Sequence, residues 1–166
     1  IYFNINYLNY GDVIINEILF DITPTLCYDK KFVEILNKTN LDISLNNWIL
    51  EISPEKSIVL LDTILKKDSF YVVNKDFYKN FSLPNTTTLK LKDPNGNIID
   101  SIFYEKLLFS NSYKSKGGWS LERSNNNFLF ECIDSCGSTP NKVNSIDTIN
   151  FPIAKHIRNK GRYIPV

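Results

Sequence analysis

Gly117-Gly118-Trp119-Ser120-Leu121-Glu122-Arg123, followed by Cys132-Ile133-Asp134-Ser135-Cys136-Gly137-Ser138-Thr139-Pro140-Asn141-Lys142-Val143-Asn144-Ser145, decides how this chain is read. The first half has strand alternation, with Trp119, Leu121 and Arg123 on one face and Ser120, Glu122 and Ser124 on the other. The second half reads as a terminating loop clipped by two cysteines. Neither half sets a catalytic group in a recognisable context. The expectation is a β-module that closes on itself within a longer polypeptide. Trp119 and Leu121, together with Trp48, are the expected core anchors, since a strand Trp belongs by default to packing. Arg123 then starts on the inward face and needs a carboxylate. Glu34 shares a face with Phe32 and Leu36 and has the same difficulty, so a buried Glu34–Arg123 ion pair is expected.

Working outward, short β-branched and aromatic runs recur between turn signals. Val13–Phe20 and Phe32–Asn37 read as core strands. Leu45, Trp48, Leu50 and Ile52 mark a third, and strands are also expected over 57–65, 69–73, 87–91, 98–104, 119–124 and 128–132. Asn95-Gly96 supplies the positive-φ positions of a hairpin turn. Residues 76–81 read as a single helical turn. About eight short strands with so little helical periodicity predict an antiparallel β-sandwich. Residues 1–11 alternate bulky and polar side chains and are expected to be a strand or linker from a preceding segment. The sandwich is expected over 12–146, and the basic stretch 147–166 as a linker or tail.

The 166 residues and net charge of +1 suit one domain with extensions. The charges are dispersed, so no basic stripe points to nucleic acid. No apolar run approaches the ~20 residues of a membrane-spanning helix. The sequence contains no Met and does not begin with one, which suggests a processed or excised piece of something longer. Cys27, Cys132 and Cys136 make an odd count, leaving at least one thiol unpaired or paired elsewhere. A disulfide between Cys132 and Cys136, or from one of these to Cys27, is favoured over metal, because a structural zinc site needs four ligands and His156 is the sole histidine. A disulfide would imply an oxidising compartment.

Glu17, Glu34, Glu51 and Glu122 are dispersed strand carboxylates, expected to be solvated or salt-bridged, not a glycosidase pair. Ser120 sits in no nucleophile elbow, and His156 lies in the tail, remote from any triad context. No catalytic residue, metal site or cofactor is assigned. Asp93-x-Asn95-x-Asn97 begins like a calcium loop, but its twelfth position is Tyr104 and not Glu. A hairpin turn is the better reading there, although Asp and Asn loop clusters are compatible with weak calcium binding.

Taken together, these motifs resemble the lamin tail domain, an immunoglobulin-like β-sandwich. Val13-Ile14-Ile15-Asn16-Glu17-Ile18 is similar to its opening strand. Phe32 to Asn40, with Asp42, Ser44, Asn47 and Trp48, is similar to its Phe-Val to Asn-Trp pattern. Asn95 to Asp100 resembles the hairpin before the last strands. Gly118 to Arg123 and Gly137 to Ser145 resemble the closing motifs of the bacterial branch. The resemblance spans approximately residues 12–146 and implies no catalytic residues. It implies a non-catalytic interaction or scaffolding module of a secreted or surface-attached bacterial protein, extracellular or periplasmic. The implied partners are a protein or neighbouring domains of the same polypeptide. The alternative is an accessory domain of a secreted hydrolase that binds glycan or, against the charge pattern, nucleic acid.

Overall fold

The structure, a computed structural model, describes residues 8–148. The expected tail, including His156, therefore lies almost wholly outside the described residues, as do residues 1–7 of the first expected strand. Residues 8–11 are not a strand. They form a turn in which Asp12 N–H donates to the Asn9 carbonyl.

Eleven strands are present among the described residues: β1 (Val13–Leu19), β2 (Phe32–Asn37), β3 (Ile43–Ser44), β4 (Ile49–Ser53), β5 (Lys56–Val59), β6 (Ile64–Leu65), β7 (Phe70–Asn74), β8 (Thr86–Lys92), β9 (Ile98–Glu105), β10 (Leu121–Arg123) and β11 (Leu129–Glu131). They form a five-stranded sheet ordered β11-β10-β1-β2-β7, a four-stranded sheet ordered β5-β4-β8-β9, and a small β3-β6 pair. Every pairing is antiparallel. The fold is the expected immunoglobulin-like sandwich, with no α-helix among the described residues. The helical turn expected at 76–81 is a pair of hydrogen-bonded turns instead.

The core lies between the sheets. Val13, Ile15, Ile18, Val33, Ile35 and Leu121 meet Leu50, Ile52, Leu89, Leu91, Ile102 and Tyr104. Trp48 and Leu121 are buried as expected. Trp48 follows a tight turn in which its N–H bonds the Leu45 carbonyl and Asn47 takes φ 60°, a conformation Asn tolerates. That turn occupies the first half of the run expected at 45–52, so the strand there, β4, begins only at Ile49. Trp119 is half-buried beside the core, ahead of β10, with Lys114 Nζ 4.4 Å above its ring.

One irregularity in β1 sets the rest of that sheet. Ile15 pairs with Ile35 and Glu17 with Glu34, so Asn16 is an extra, bulged residue. Simple alternation would point Glu17 into the core beside Ile15. The bulge reverses the parity, sending Ile18 inward and Glu17 to the outer face. At the bulge, the main chain of Ile15 bonds side chains from beyond β1. Its N–H donates to Asp100 Oδ2 (2.7 Å), and its carbonyl accepts from Arg123 Nη1 (3.3 Å). Arg123 and Asp100 also pair directly, 5% and 0% exposed, pinning β10 to β9 across the sandwich edge. The expected Glu34–Arg123 pair is therefore corrected. Glu34 faces away from the core, whereas Arg123 faces inward and finds Asp100.

Of the two expected cysteine pairings, the Cys132–Cys136 clip is corrected and the bond to Cys27 is found. Cys27 bonds Cys136 across 109 residues of sequence, and Cys132 is a free, buried thiol. Cys132 N–H bonds the Ser120 carbonyl, which seats its side chain beneath the closing segment, while Cys136 meets the 21–31 loop. That loop crosses the Gly-Gly-Trp stretch so closely that a Cβ on Gly118 would lie 2.3 Å from the Pro24 carbonyl oxygen. A Cβ on Gly137 would lie 2.2 Å from the Gly118 carbonyl oxygen. Three backbones meet here, and the disulfide fastens two of them.

Under non-reducing conditions the native protein should show no reactive thiol, one after denaturation and three after reduction, by colorimetric thiol counting. Replacing Cys27 and Cys136 with Ser should cost about 2–5 kcal/mol by chemical denaturation. Arg123→Met should cost about 3–5 kcal/mol, because Asp100 is left buried without its cation. A loss below about 1 kcal/mol, the scale of an exposed pair, would deny the pair its structural role.

Candidate functional site

The strongest concentration of chemistry is a row of three glutamates. Glu34 on β2, Glu17 on β1 and Glu122 on β10 stand directly opposite one another in the strand register. All three are fully buried, although they point away from the core. Like charges opposite each other on adjacent strands repel, and burial without partners costs several kcal/mol more. The row persists because the segment 138–146 lies over it and supplies donors.

Glu17 Oε1 accepts from the Thr139 N–H (2.8 Å) and from Ser120 Oγ (2.6 Å). Glu122 accepts from Thr139 Oγ1 (2.8 Å), Ser145 Oγ (2.8 Å) and the Ile146 N–H (3.0 Å). Glu34 accepts from the Asn16 amide (2.9 Å) and from the Asn141 N–H. Asn144 completes the seam by donating to the Arg123 carbonyl (2.8 Å) and exchanging bonds with the Asn16 amide. The Ser-Thr-Pro-Asn-Lys-Val-Asn-Ser motif is thus a strip of hydroxyls, amides and main-chain N–H groups matched to a strip of acids.

Burial pushes the Glu17 carboxyl up to about 8; bonds from Ser120 and Thr139 oppose this, and the charges of Glu34 and Glu122 add to it. Burial likewise raises Glu34 to about 7, against bonds from Asn141 and Asn16. Burial and the neighbouring Glu122 push the Cys132 thiol up to about 12. Glu17, Glu122 and Cys132 place ligand-type atoms within 4.8 Å of one another. A metal would require a thiolate and open lone pairs. Here the carboxylates are already occupied by donors from Ser120, Thr139, Ser145 and Ile146, an arrangement that suits a hydrogen-bonded seam.

The expectation of solvated or salt-bridged acids holds for Glu51, which Lys90 (2.8 Å) and Lys92 clamp. It fails for Glu17, Glu34 and Glu122, which are neither. The Asn16 bulge that aligns the three leaves no local mark in the sequence, and the legible signal is the run of hydroxyls and amides over 138–145. At the hairpin, Asp93 spends its carboxylate on the N–H groups of Asn95 (2.9 Å) and Asn97 (2.8 Å) and on the Asn97 amide (2.9 Å). That is the turn expected in place of a calcium loop.

The seam makes stability depend on pH. Glu17 and Glu34 hold protons in the folded state at pH values where the unfolded chain has lost them. Their contribution is therefore greatest below about 4.5, declines as pH rises towards 7–8, and then levels off. The denaturation midpoint should be higher at pH 5 than at pH 8, and Glu17→Gln should flatten that difference. Equal wild-type midpoints at the two pH values would refute the assignment.

A family model described as Lamin Tail Domain matches residues 8–106. A search of curated proteins returns no match. The matched span takes in β1 to β9, from the turn that leads into the bulged strand to the end of the hairpin partner strand. Fold, motif order and family match agree, and the chain belongs to the lamin tail domain family.

Proposed function

We infer that this domain is a non-catalytic interaction module of a larger secreted or surface-attached bacterial polypeptide, making protein–protein or surface-adhesion contacts. The observation that carries the reading is where the ionisable groups are spent. Glu17, Glu34 and Glu122 hold the closing segment, and Asp100 and Arg123 pin the sheets. Groups committed in this way to buried internal bonds are not poised for acid–base work on a substrate. The Cys27–Cys136 bond accords with an oxidising compartment.

Contacts are better sought on the outer side of the four-stranded sheet. Its register places Val59 beside Ile49 and Phe103 beside Thr88, with the Lys90–Glu51–Lys92 cluster between them. Val59 and Phe103 are 58% and 52% exposed. Apolar side chains around a small charged cluster suit a protein surface, where aromatic anchors supply contact and charges set orientation.

Beads coated with the domain should attach to cells that display the parent polypeptide. Val59→Asp with Phe103→Asp should abolish attachment while leaving the melting temperature unchanged. Attachment that survives both substitutions, or hydrolytic turnover by the purified domain, would defeat the reading.

A further inference from the structure

We propose that a cleft on the outer face of the five-stranded sheet binds a neutral, hydroxyl-rich ligand of about one sugar residue. The cleft, of about 370 Å³, lies between Leu36 and Phe70 of the sheet and Val143, Asn144 and Asp147 of the closing segment. That volume lies within the range of small-molecule sites. It is separate from the face proposed above for protein contacts, and the two readings can fail independently.

Its floor is apolar. Leu36 on β2 and Phe70 on β7 are cross-strand partners, and both remain half-exposed. Val143 of the closing segment adds a third apolar wall, 61% exposed. The inner end is rigid and polar. Asn16 and Asn144 are buried and fixed by bonds to each other, to Glu34 and to the Arg123 carbonyl. Their orientation is therefore set before a ligand arrives, which lowers the cost of binding.

The rim holds unspent polar capacity. Among the described residues, Lys38 and Asp68 make no ion pair, and the one side-chain bond of Asn125 is a long one of 3.4 Å to Asp147. Amides and carboxylates offer both donors and acceptors, as vicinal hydroxyls require. An apolar floor suits the C–H face of a pyranose ring. The rim carries one cation against two carboxylates, so an anion gains no net attraction. Phosphate recognition would call for clustered Arg or Lys, which the lining lacks. A peptide adding to the free edge of β7 would lie beside that strand in the plane of the sheet, away from the cleft on its face.

The test is an NMR titration of the ¹⁵N-labelled chain with methyl glycosides of glucose, galactose, mannose and N-acetylglucosamine. Inorganic phosphate and a lysine-containing tripeptide serve as comparison probes. At least one glycoside should shift the amides of Leu36, Phe70, Asn125 and Asn144, with affinity in about the millimolar range expected of so small a ligand. Phe70→Ala and Asn125→Ala should each weaken binding about tenfold, the loss expected from one well-made contact. Lys92→Ala on the opposite sheet should leave it unchanged. Asn125 is exposed, so its variant tests the site even if Phe70→Ala disturbs the edge strand. No shift with any glycoside, shifts that survive Asn125→Ala, or tighter binding of phosphate or tripeptide would each overturn the proposal.

Discussion

Three glutamates side by side, on three adjacent strands and under a cover of protein, are the constraint that the rest of this molecule answers. Bare, that row would push β2, β1 and β10 apart. It is tolerated because the chain returns and lays Ser138 to Ile146 across it, so that main-chain N–H groups and short hydroxyls approach the acids and no cation is needed. The unusual burial of β1, covered on both faces along its whole length, follows directly. So does the close approach of glycines at 117, 118 and 137, because a strip held that tightly leaves no room for side chains where three backbones cross.

The outline of the fold was legible. Alternation located the long strands, Asn95-Gly96 marked its turn, and the ordered motifs pointed to the family. What could not be read was parity. Counting by twos from Val13 places Glu17 inside, and nothing local announces that Asn16 is skipped by the partner strand. The partner of Arg123 was hidden for a similar reason. Asp100 lies in the other sheet, and only the three-dimensional edge where β9 meets β1 brings the two together. The cysteines were legible only in part: a Cys132–Cys136 clip and a bond to Cys27 both fitted the sequence, and the strand feeding into Cys132 turns its side chain under the acids, which leaves Cys136 for Cys27. Each failure concerns a contact made across the fold between residues far apart in the chain.

The two sheets divide the work of the domain. The five-stranded sheet is spent on cohesion, with the core on one side and the closing segment over much of the other. The four-stranded sheet packs one face inward and turns the other, with its Lys90–Glu51–Lys92 cluster, to solvent. This asymmetry makes an interaction module a natural use of the fold, since one sheet can vary at its surface without loosening the other. The uncovered corner near Leu36 and Phe70 is the exception on the cohesive side, and its position beside locked asparagines distinguishes it from ordinary exposed surface.

The pairing of Glu17 with Glu122 also fixes the order in which the chain can mature. β1 is made before the other strands of the domain, yet one of its two neighbours and nearly all the donors for its acid arrive about a hundred residues or more later. Until then one strand edge and the acid of Glu17 have no permanent partner. Contacts of such long sequence separation are slow to form, and an open edge exposes the chain to wrong pairing in the interval. The domain therefore completes its fold only when its final segment has been made, and any nascent piece lacking that segment remains dependent on whatever shields it.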